Sequence, residues 1–202
     1  MAVREPLYVG TSSFDVEEMR VGAATAWTPA TNAVKVLTGL KPGPGNPGNV
    51  TASGSPDGFT HVAAAALVIQ SSRAANAGIY QLTWDATVDL NHLGGTYGTP
   101  ANATNPRNDI VFAYVPDTFY GDANSTPVVR LLTGTPSGSP SDPSLAAFPD
   151  AVVLARVRVN ANATTITTGN ITDLRPAPTV ALGGLLPTAT ATTRNALTGL
   201  YD

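Results

Sequence analysis

Titratable and nucleophilic side chains are sparse in this chain, and their spacing limits the chemistry open to it. The two histidines, His61 and His92, are the side chains whose charge changes near neutrality without help. Neither stands at metal-ligand spacing from the other, and the acids around His92, Asp85 and Asp89, occupy the polar positions of a strand-like stretch. Both imidazoles therefore read as solvated surface groups. Asp117 with Asp122, and Asp85 with Asp89, are the carboxylate pairs that would serve glycoside hydrolysis if they flanked a sugar cleft. Each pair falls where turns and strand edges need polar residues in any case. Ser53-Gly54-Ser55 and Ser137-Gly138-Ser139 lack the Gly-x-Ser-x-Gly pattern of an exposed nucleophile. Gly43-Pro44-Gly45-Asn46-Pro47-Gly48 puts prolines where a phosphate loop needs N–H donors. With no cysteine, there is no disulfide, thiolate zinc site or thiol nucleophile. These residues predict no catalytic site, no cofactor and no metal.

Aromatic side chains gather in the middle of the chain: Trp84, Tyr97, Phe112, Tyr114, Phe119 and Tyr120. They have two uses, a platform for sugars or packing in a core. For those alternating along Ile110 to Val115 the core is the expectation.

The composition sets the scale. In 202 residues, 43% hydrophobic, there is enough apolar surface for one full core. Only 12% are charged, with a net charge of −3, which gives no basic footprint for a nucleic acid backbone. A surface this neutral tends to self-associate unless it is covered, as in an assembly subunit. No apolar run of signal-peptide or membrane-span length follows Met1 or occurs elsewhere, so synthesis in a cytoplasm and no membrane insertion are expected.

The elements that must position these residues are mostly strands. Ala33 to Leu37, Gly78 to Leu90 with one bend, Ile110 to Val115, Val128 to Leu132 and Val152 to Val159 carry β-branched or alternating apolar residues between turn formers. In the last, Arg156 and Arg158 share one face, with Val153, Ala155, Val157 and Val159 on the other. The alanine run in His61 to Gln70 suits a short helix or a buried strand equally. Phe14 to Val21, behind Asp15, can make two helical turns. Lys41 to Gly58, Leu93 to Asn108 and Gly134 to Pro149 read as surface loops. The fold class that follows is all-β, an antiparallel β-sandwich or barrel-like domain over 33–175, with an extended N-terminal arm, 1–32, and a C-terminal segment, 176–202.

Four segments in order carry a resemblance. They are Asn105-Pro106-Arg107-Asn108-Asp109-Ile110-Val111; Leu131-Leu132-Thr133-Gly134-Thr135-Pro136; Pro149-Asp150-Ala151 running on through Val152 to Val159; and Ile171-Thr172-Asp173-Leu174-Arg175-Pro176. The series resembles a module of minor tail, baseplate and fibre proteins of tailed bacteriophages, particularly those of actinobacteria. It covers roughly Ala33 to Pro176. The ending Leu186 to Arg194 also looks like the start of the repeats such proteins carry distally. The resemblance implies a structural, non-enzymatic part of a virion, assembled in the host cytoplasm, which anchors or forms the proximal part of a tail appendage. It also implies a trimer or other symmetric assembly and partners among the tail, baseplate or capsid proteins. A head-fibre or decoration protein, or a domain recognising a host surface glycan, are the alternatives.

The residues add detail. Asp109, at the head of its strand, can accept backbone hydrogen bonds. Asp173 and Arg175 point the same way and can pair with each other or across a subunit boundary. Leu7, Tyr8 and Phe14 at one end, and Leu185 and Leu186 at the other, lack the length or periodicity for a core of their own. They are expected to serve as docking or oligomer contacts in a homotrimer.

Overall fold

A computed structural model describes residues 16–31, 35–74 and 78–179. It holds one helix, α1 (Val16–Ala24), and ten strands: β1 (Gly39–Leu40), β2 (Val50–Ala52), β3 (Phe59–Val62), β4 (Ala65–Gln70), β5 (Ile79–Trp84), β6 (Val88–Asn91), β7 (Arg107–Tyr114), β8 (Val128–Leu132), β9 (Val152–Val159) and β10 (Ile171–Asp173). Every strand pairing is antiparallel. The hydrogen-bonded orders are β1-β4-β5, β2-β3-β6 and β10-β9-β7-β8.

The first two sheets run into one another. Only Ala63 and Ala64 separate β3 from β4, and Asp85 to Thr87 separate β5 from β6. Two residues thus face three, the kind of mismatch that bends a ribbon without ending it. The Trp84 indole N–H donates to the Ala63 carbonyl across this break at 2.7 Å. The result is a three-stranded layer facing the four-stranded sheet. Between them lies the main core, with Val62, Leu67, Ile69, Leu82 and Leu90 from one layer and Val111, Leu131, Leu154, Val157 and Val159 from the other. Each such side chain, fully buried, contributes about 1.5–3 kcal/mol. The chain is an antiparallel sandwich, and the layers do not close into a barrel.

Part of each outer face is covered. Ala24 of α1 and the following Trp27 pack with Val36, Val68 and Ile79 on the three-stranded layer. Leu145 and Phe148, from the Ser/Pro-rich loop, pack on Ile110, Phe112 and Tyr114 of the other. All eight residues of β7 are consequently buried.

Several expectations change. Of Ala33 to Leu37, the described part forms a single bridge, Val36 to Pro29, and the regular pairing starts at Gly39. The alanine run is strand, because Leu67 and Ile69 alternate into the core. The loop Lys41 to Gly58 contains β2, which pairs with β3. Val153 does not share a face with Ala155 and Val157: a register shift at Val111/Phe112 makes a bulge in β9, so Leu154 and Ala155 both enter the main core and Val153 joins the outer cluster. The helix runs over Val16–Ala24, later than Phe14 to Val21, and Ala24 and Trp27 pack on the three-stranded layer.

Candidate functional site

The two long sides of the sandwich are built differently. On one side β2 and β10 approach each other. Arg175 locks them there: its guanidinium makes a two-point pair with Asp173, at 2.9 and 2.6 Å, and donates to the Asn46 side chain and the Pro47 carbonyl at 2.9 and 2.8 Å. The Arg175 hydrogen bond holds the Asp173 carboxyl below the usual carboxylate range. Past this clasp the Thr179 N–H donates to the Leu40 carbonyl, and Pro178 bridges Leu40 in parallel. A groove of about 670 Å³ beside it is walled by Pro42, Pro47, Pro176 and Pro178. Asp173 and Arg175 therefore pair with each other, as one of the two expectations had it. Leu7, Tyr8, Phe14, Leu185 and Leu186 lie outside the described residues.

On the opposite side, where β6 and β8 likewise approach each other, the edge is open along a groove. Here β5, β6 and β8 are edge strands, each with one strand partner. Between them runs a groove in two sections, of about 510 and 250 Å³, that share Val88, Tyr97 and Val129. Trp84 walls the first section and Phe59 the second, with Gln81, Thr83, Asp89 and Asn91 along the lip. Phe59 and Tyr97 are 36% and 38% exposed. Of the six aromatics singled out in the sequence, the fold brings Trp84 and Tyr97 to this groove and buries Phe112 and Tyr114. Phe59 escaped notice, although its position signals it: Thr60 and Val62 turn inward, so a phenylalanine stands on the wet face of β3.

No family model, curated protein or solved structure matches the chain. The site has to be read from its own chemistry.

Beneath the open side lies a buried ionic lock. His92 is fully buried, which corrects its reading as a surface group: the strand ends at Asn91, and the following turn folds its ring inward. Its Nδ1 and Nε2 lie 3.0 Å from the Asp109 carboxylate and the Thr60 hydroxyl. Arg107 donates to Asp109 at 2.9 Å and to the carbonyls of His92, Thr99 and Pro100 at 2.7 to 2.9 Å. Asp109 also accepts the Gly134 N–H, a backbone bond of the kind its position predicted. Every charge has partners, the condition for burying ions at all. The lock seats the loop that carries Tyr97.

His61 is half-buried on the outer face of the three-stranded layer. Its Nδ1 is 2.7 Å from Asp89 and its Nε2 2.8 Å from the Ser53 hydroxyl, a serine–histidine–aspartate row. Ser53 also donates to Asp57 at 2.8 Å. The Phe59 N–H and this hydroxyl hold the Asp57 carboxyl below its ordinary range, so it stays ionised. The Ser53 hydroxyl is thus shared between Asp57 and His61.

A second ionic cluster anchors α1. Arg20 pairs with Asp117 at 2.6 Å and stacks over Tyr80, whose hydroxyl also donates to Asp117. Arg73 pairs with Asp122 at 2.7 Å, and that hydrogen bond holds the Asp122 carboxyl at about 2. The carboxylate pair Asp117 and Asp122, weighed and set aside in the sequence, meets two arginines. Among the described residues there is no group of three or more metal-ligating side chains, and no helix is long and apolar enough to cross a membrane.

Proposed function

We propose that the chain is a non-catalytic structural module of a bacteriophage virion, anchoring or forming the proximal part of a tail fibre or minor tail appendage. The observation that carries this reading is the Asp173–Arg175 clasp. It lies in the last of the four segments behind the resemblance, and it pins Arg175 to Asn46 and Pro47. A node between a particle and a fibre must hold its chain firmly to a rigid body, and this clasp, continued by the Thr179–Leu40 hydrogen bond, supports that role.

Two further features support it. α1 and residues 177–179 both rest on the three-stranded layer, so docking and fibre extensions would leave from one layer. The low charge of the chain suits a surface covered by like subunits, here a homotrimer with tail or baseplate proteins as neighbours. The arrangement nearest to a catalytic one, at Ser53 and His61, has its hydroxyl engaged by Asp57.

The test is immunogold labelling of purified particles with an antibody to the sandwich. Label at the tail tip or baseplate is the expected result. Label on the head would give the chain to head fibres or decoration, and particles without label would overturn the virion reading.

A further inference from the structure

We propose that the groove on the open side of the sandwich binds a neutral carbohydrate chain, with Trp84 and Tyr97 as stacking rings and Gln81, Thr83 and Asn91 reading its hydroxyls. This inference does not rest on the virion reading.

The rings come first. A sugar packs its C–H face on an aromatic ring, and the contact is worth most when the ring is already fixed. Trp84 is fixed by the bond from its indole N–H to Ala63. Tyr97 is fixed twice: the Arg130 guanidinium lies 4.2 Å from its ring centroid, and its carbonyl accepts the Thr133 hydroxyl at 2.7 Å. Its loop is further seated by Arg107 through Thr99 and Pro100. Pocket-lining aromatics in a core are covered, whereas Tyr97 keeps 38% of its surface exposed at the junction of the two sections.

Charge decides the ligand class. No lysine or arginine lines either section, and the guanidinium beside it, that of Arg130, is engaged by the Tyr97, Phe112 and Phe148 rings, so a phosphate, sulfate or uronate chain would find no lining counter-charge. The one charged lining residue, Asp89, faces His61 at 2.7 Å through one carboxylate oxygen. What remains are amides, hydroxyls and aromatic faces, the donor set of a polyhydroxylated, uncharged ligand. An open groove in two sections also suits a chain of rings better than a single small molecule.

A β-strand from another protein is the rival occupant, since the groove follows three strand edges. Two features oppose it. Pro127 precedes β8 and has no N–H for a ladder, and Tyr97 stands where the two sections join, across the path of a continuous added strand.

The experiment is a titration of the full chain, followed by the NMR signal of the Trp84 indole N–H, with galactan, mannan, dextran and amylose, and with dextran sulfate as the anionic probe. At least one neutral polysaccharide should shift that signal. Y97A should weaken the binding at least tenfold, Q81A at an exposed position should weaken it several-fold without touching the fold, and, by calorimetric titration since neither variant keeps the reporting indole, W84F should restore most of what W84A loses. Silence with all four neutral polysaccharides overturns the proposal. So does preference for dextran sulfate, binding unchanged in both Y97A and Q81A, or self-association abolished by Q81A with no sugar bound, which would give the groove to a second copy.

Discussion

The closed and open sides of this sandwich are held by ion pairs of opposite character. On the closed side Asp173 and Arg175 are exposed by 53% and 17%, and the pair fastens an edge that packing has already brought together. On the open side Arg107, Asp109 and His92 are almost wholly buried, below a groove that stays empty of protein. Exposed pairs contribute at most about 1 kcal/mol, whereas breaking a buried one costs about 3–5 kcal/mol. The contrast has a physical reason. The clasp joins two edge strands, β2 and β10, that share no hydrogen-bonded ladder, whereas the buried lock holds the loop over the groove in one shape.

The largest effect should come from the buried lock. R107A leaves Asp109 buried without its cation and is expected to cost about 3–5 kcal/mol in urea unfolding. A loss under about 1 kcal/mol would erase the distinction between the sides. Next are two glycines packed against backbone. A Cβ at Gly134 would meet the Asn108 carbonyl on the open side, and one at Gly39 the Ala177 carbonyl on the closed side. Overpacking costs about 1–3 kcal/mol. G134A should lower global stability, whereas G39A should mainly free residues 177–179, seen as faster exchange of the Thr179 amide.

Acid offers a graded test. The Asp122 carboxyl sits at about 2 through its bond to Arg73, and that of Asp173 is also lowered by its arginine. Both folded values lie below the unfolded value of about 3.9. The stability these groups add is therefore complete above about pH 4 and is lost as the pH falls toward 2. D122N should flatten the acid limb of the stability curve, and Thr179 exchange should accelerate below about pH 4 in the native chain but not in R175A. The smallest effect is expected at His61, where H61A should change stability by no more than about 0.5 kcal/mol.

Much of the fold could be read from residue patterns. Val128 to Leu132 and Val152 to Val159 are strands at their expected bounds, because β-branched residues between turn formers have no good helical alternative. The bulge at Leu154 was hidden, since it arises from the register of β9 against β7 and not from any local residue. β2 was hidden for a related reason: Val50 to Ala52 is too short to show alternation and exists because β3 offers an edge. The site was legible only in part. Trp84 and Tyr97 stood out by type, but their meeting depends on two sheet edges converging. His92 looked like a surface group because its partners, Asp109 and Thr60, lie 17 and 32 residues away.

The most direct test of the proposed virion role is a cryo-electron microscopy map of phage particles assembled in cells that make this chain. The account predicts a sandwich at the base of a tail appendage, arranged around a symmetry axis, with the Arg175 side toward the departing chain and the groove at Trp84 and Tyr97 facing outward. A tail without the sandwich, or a sandwich whose Arg175 side is solvent-exposed with no chain leaving it, would contradict it.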